Sequence, residues 1–71
     1  MKFFSTALKD GRRIVVALDH VENVHADAAG DAVFVMLPAD GGQRIFETSR
    51  SYEDTAQHLL SIKYVPKKEV T

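Results

Sequence analysis

Cysteine is absent from the 71 residues. No disulfide can therefore staple the fold, and no thiolate can hold a metal or attack a substrate. There is also no run of about 18 apolar residues, which excludes a membrane-spanning helix. Neither sign of charge dominates. Nine basic and ten acidic residues leave a formal net charge of −1, so no global field draws the chain toward nucleic acid. The opening Met1-Lys-Phe-Phe-Ser-Thr-Ala-Leu8 is too short for a signal-peptide core and runs into charged Lys9-Asp10. Together these absences make a cytoplasmic location the expectation.

What is present is an ordinary globular composition, 45% apolar, sized for one domain. A chain this short buries only about 60% of the surface its unfolded form exposes. Without disulfides, the remaining sources of extra stability are oligomerisation or an unusually good core.

The chain punctuates itself clearly. Lys2–Leu8 is apolar and strand-compatible, and Asp10-Gly11 is a hairpin signal because both residues tolerate positive φ. Arg13–Leu18 is β-branched and predicts the second strand. Asp19-His20 predicts a bend, and Val21–Ala26 a short strand after that corner. Asp27–Asp31 reads as a turn, and Ala32–Leu37 as a strand ended by Pro38, which cannot donate to a ladder. Ala39–Gln43 is a second turn and Arg44–Thr48 the returning strand.

Ser51-Tyr-Glu-Asp54 then has the form of a capping box, with two acids in the first turn where the helix dipole favours them. The helix is expected over 51–62, with Tyr52, Thr55, Ala56, Leu59 and Leu60 on one face and Tyr52, Ala56, Leu59 and Leu60 docking on the sheet. Tyr64-Val65 is read as a short strand or the start of a frayed tail at 66–71. The expected architecture is a single α+β domain at 1–65, an antiparallel sheet of four to five strands with one C-terminal helix on one face.

The strand faces pose a burial problem. Successive side chains point to opposite sides. Val33, Val35 and Leu37 then share one face, and Phe34 and Met36 the other, while Val15 lies opposite Ile14 and Val16. A sheet with one wet face should alternate apolar and polar instead. One helix covers one face, and an exposed second face would exceed the apolar patches of soluble monomers. The expected remedy is a homodimer or higher oligomer, with Val33, Phe34, Val35, Met36 and Val15 as interface candidates. Burial at about 25 cal/mol per Å² would add several kcal/mol. The alternative is a sheet that curls until its own strands fill the second face.

No motif carries catalysis. Asp19, His20, Glu22 and His25 are the one cluster of metal-ligand types, but on a regular strand positions 20 and 25 face opposite ways. His58 follows Asp54 by four residues and reads as an exposed helix pair. No serine has a nucleophile-elbow context, and Gly41-Gly42 reads as a turn rather than a phosphate loop. No metal or cofactor is expected, and the chain is read as a non-enzyme that associates with itself and with another protein. The alternative is a nucleic-acid-binding regulator using Arg12, Arg13, Arg44, Phe46 and Arg50, a small basic and aromatic patch if positions 44, 46 and 50 share a face.

Leu8-Lys-Asp-Gly11, Ile14-Val-Val-Ala-Leu-Asp-His-Val-Glu-Asn-Val24, Val33-Phe-Val-Met-Leu37 and Ile45-Phe-Glu-Thr-Ser-Arg-Ser-Tyr-Glu-Asp54 follow one another in order. Over about residues 7–60 this pattern resembles the small flagellar FlbD-like proteins, and more distantly the β-rich LytTR DNA-binding domains. The resemblance implies a motility-linked or regulatory role and no catalytic residues. The chain departs from the family pattern in its longer second hairpin and its extra tail.

Overall fold

The computed structural model describes residues 2–64. It is an α+β fold of five antiparallel strands in two sheets and one helix after the strands. β1 (Phe3–Ala7) pairs with β2 (Arg13–Ala17). β4 (Asp31–Met36) lies between β3 (Val21–Ala26) and β5 (Ile45–Ser51), and α1 spans Tyr52–Ser61. The expected tail at 66–71 and Val65 of the expected last strand lie outside the described residues.

The first two hairpins use one turn design. The Gly11 N–H donates to the Leu8 carbonyl at 3.0 Å, and the Leu8 N–H to the Arg12 carbonyl at 2.7 Å. In the next hairpin the Gly30 N–H donates to the Asp27 carbonyl at 3.0 Å, and the Asp27 N–H to the Asp31 carbonyl at 2.9 Å. Each is a three-residue loop closed by a glycine at positive φ, 95° at Gly11 and 85° at Gly30. Gly11 alone of the Asp10-Gly11 pair takes the positive φ that both tolerate. The Asp10 carboxylate accepts the Arg12 backbone N–H at 3.0 Å and Arg12 Nε at 2.8 Å.

The sheet curls. A 3₁₀ turn at Leu18–His20 separates β2 from β3. The Leu18 N–H still reaches the Lys2 carbonyl and the Leu37 N–H the His20 carbonyl, at 2.9 and 2.7 Å. β2 and β3 thus behave as one long strand bent at a corner, the first half pairing with β1 and the second with β4. A register shift between Val21 and Asn23 sharpens the bend. A Leu8–Thr48 bridge and the Lys9 N–H to Glu47 carbonyl bond (3.1 Å) then join the end of β1 to β5.

The β1–β2 ribbon therefore lies over the inner face of the three-stranded sheet. The Phe4 and Phe34 rings stack with centroids 5.5 Å apart and planes at 27°. Val16, Leu18, Val21, Val24, Ala32 and Leu59 complete one buried cluster. Of the two faces the sequence leaves open to the helix, α1 takes the Phe34 side and shares it with the ribbon.

The helix starts as its capping box predicts, with Ser51 Oγ accepting the Asp54 N–H at 3.1 Å. It ends in a paired set of bonds, Tyr64 N–H to the Leu59 carbonyl and Lys63 N–H to the Leu60 carbonyl, both 3.0 Å, around Lys63 at φ 57°. This is a Schellman-type stop with lysine where glycine is usual. Tyr64 turns back rather than starting a strand, and its hydroxyl donates to the Val21 carbonyl at 3.3 Å. Burial pushes the Tyr64 hydroxyl pKa up, with the Asp19 charge adding to it. The docking face is narrower than its sequence suggests. Thr55 and Leu59 are buried, whereas Tyr52 and Leu60 stay exposed. Leu60 lies about 100° round the helix from Leu59, past the edge of the contact.

Candidate functional site

The interface candidates divide between the two sides of the sheet. Phe34 is fully buried in the core, so a charge there would report on folding rather than on assembly. Met36 is partly buried against the same cluster. Val33 and Val35 point away from the core and are nonetheless buried. Their cross-strand partners flank them on both sides, His25 and Glu47 beside Val33, Asn23 and Ile45 beside Val35. Val15 alone of the five is open, at 64% exposed.

Two residues outside that set are also open. Phe3 is 61% exposed on the outer side of β1. It pairs with Ala17, two residues from Val15 on the same face of β2. Ile45 is 59% exposed on the outer side of β5. The hydrogen-bonding edge of β2 away from β1 has no strand partner among the described residues. Alternation separates Phe3 from Phe4 and Ile45 from Phe46, and the curl of the sheet decides that Phe3 and Ile45 are the outer members.

The proposed basic patch is dispersed. Arg12 is paired with Asp10 and Arg13 reaches Ser5 Oγ at 3.4 Å, both beside the first turn. The Arg50 guanidinium lies over the Phe4 ring, 5.6 Å from its centroid. Arg44 and Phe46 alone of the five meet, in a cleft of about 390 Å³ that also includes His20. His58 makes no pair with Asp54. Its ring meets Phe4 nearly at right angles, centroids 5.0 Å apart. An aromatic surface beside the helix outcompetes an exposed i,i+4 pair worth a few tenths of a kcal/mol (~0.2–0.5).

Two ionic arrangements tie the turns. Lys9 Nζ stands 2.8 Å from Asp31 and 3.2 Å from Asp27, joining the first hairpin turn to the second. Those two carboxylates, Asp31 first, hold the Lys9 pKa above its ordinary value. Asp27 Oδ1 accepts the backbone N–H groups of Asp31 (3.0 Å) and Ala29 (2.9 Å). The Asp31 N–H is the leading cause of its lowered pKa, with Lys9 adding. Asp10 is lowered chiefly by the Arg12 backbone N–H.

His20 and His25 do not converge. His25 Nδ1 sits 3.3 Å from Asn23 Oδ1, and among the described residues no three His, Cys, Asp or Glu side chains gather where a metal ion could be held. None of the helices among the described residues is long and apolar enough to cross a membrane. No family model, curated protein or solved structure matches the chain.

Proposed function

We propose that the chain is a small, non-enzymatic, homo-oligomeric module that binds a protein partner in the cytoplasm. The observation that carries this reading is the outer side of the β1–β2 ribbon. Phe3 and Val15 stand there as exposed diagonal neighbours, beside an edge of β2 that has no strand partner among the described residues. An unpaired edge next to apolar side chains is the arrangement through which strands add to one another. A two-fold pairing about Val15, the middle residue of β2, is the simplest closed assembly. The FlbD-like resemblance accords with a regulatory rather than a catalytic role.

Sedimentation at low micromolar concentration tests the reading. The expected mass is about twice the 7.9 kDa of one chain. Val15→Glu should return it to the single-chain mass without changing the far-UV spectrum, because Val15 contributes nothing to the core. A wild-type chain that sediments as a compact monomer would sink the proposal.

A further inference from the structure

We propose that the cleft between the Leu18–His20 corner and the β4–β5 loop binds a small molecule carrying an anionic group on a flat apolar body. The space, about 390 Å³, is the size of a small-ligand site. Met36, Leu37, Pro38 and Phe46 supply an apolar wall, and Arg44 and His20 supply the polar groups. No carboxylate lines it among the described residues.

Arg44 is the decisive group. The chain has four arginines. Arg12 is neutralised by Asp10, Arg13 reaches Ser5, and Arg50 lies on Phe4. The Arg44 guanidinium has no hydrogen bond or ion pair among the described residues, so its N–H fork is open for a carboxylate or phosphate-like group. Phe46 beside it offers a ring against which a flat body can lie.

The cleft is also held in shape without a ligand. Ala39 and Gly42 exchange backbone bonds of 3.3 and 2.8 Å across the loop tip. Gln43 Nε2 donates to the Met36 carbonyl and to Glu22 Oε2, both at 3.1 Å. The Met36 N–H reaches the Arg44 carbonyl at 2.9 Å, and the Leu37 N–H the His20 carbonyl at 2.7 Å. A site already closed by its own backbone loses less entropy on binding. It shares no residue with the Phe3–Val15 surface, so the two proposals stand or fall separately.

Titration of the ¹⁵N-labelled full chain with 2-naphthoate, and with neutral 2-naphthamide, tests it. Saturable amide shifts are expected at Leu37, Gly42 and Arg44 with naphthoate. Loss of a charge-assisted bond makes the amide about tenfold weaker, and Arg44→Gln should weaken naphthoate by about the same factor. Arg12→Gln, the same charge change at the far turn, should leave the affinity unchanged. The Arg44 side chain is exposed, so the variant keeps its fold and its spectrum reports binding alone. Absence of saturable shifts at millimolar naphthoate, equal affinity for acid and amide, or an unaffected Arg44→Gln each overturns the proposal.

Discussion

Phe3 and Phe4 are adjacent in sequence, identical in chemistry and opposite in fate. Phe4 is 2% exposed, stacked on Phe34 and overlaid by His58 and Arg50, whereas Phe3 is 61% exposed. The pleat puts them on opposite sides of β1, and the curl of the sheet decides which side is inside. The ribbon folds over β4, so one side of β1 becomes a core wall and the other is left to water or to a partner. Hydrophobic residue type thus states what a position can do, and the long-range closure states what it does.

Truncating each ring in turn should separate the two phenylalanines sharply. Phe4→Ala should cost about 3–5 kcal/mol, the range for emptying a buried aromatic site, a large part of the ~5–15 kcal/mol that such domains possess. Phe3→Ala should stay within about 0.5 kcal/mol when measured below the association concentration. Urea midpoints of the two variants compare them. Similar midpoints would mean that the two sides of β1 do not differ as described.

Buried threonines sharpen the same contrast at smaller scale. Thr48 and Thr55 are both fully buried on the inner side. The Thr48 hydroxyl donates to the Ala32 carbonyl at 2.7 Å, beside the register break between Asp31 and Val33. Thr55 Oγ1 has no partner among the described residues. Thr48→Val leaves a buried acceptor unpaired and should cost about 1–3 kcal/mol. Thr55→Val removes an unpaired hydroxyl and should leave the thermal midpoint unchanged or higher. A large loss from Thr55→Val would show that its hydroxyl is satisfied after all.

The local features were legible because they rest on near neighbours in the chain. Ser51 caps the helix, and the Gly11 and Gly30 turns close hairpins, each within a few residues of its partners. The curl was not legible in the same way. It depends on Leu8 meeting Thr48 and on Lys2 and Leu37 bonding to the two sides of the Leu18–His20 corner. No periodicity records such contacts. The same gap explains the surfaces. Alternation sorted Val15 from Val16 and Phe3 from Phe4, but it could not say which member of each pair faced the core. His20 and Arg44 belong to separate segments, and only the folded corner brings them to one cleft.

The smallest expected effect concerns what holds the ribbon in place from outside. Asp27 accepts two backbone N–H groups and faces Lys9, which joins the β1–β2 turn to the β3–β4 turn. Its pKa is lowered from the ordinary 3.8, so the ionised carboxylate favours the folded state. That contribution is fully present above the unfolded value and is lost as pH falls through the folded value. Lys9 is the mirror case. Its raised pKa makes its contribution present below 10.5 and lost as pH climbs past it. Both groups are at the surface, where solvent screening keeps the effect small. Thermal midpoints measured from about pH 5 to about pH 2 should therefore fall less steeply in Asp27→Asn than in the wild type. Identical acid limbs would mean that Asp27 adds nothing to holding the ribbon over β4, which would leave that to the Lys9–Asp31 pair, the Phe4 stack and the Leu8–Thr48 closure.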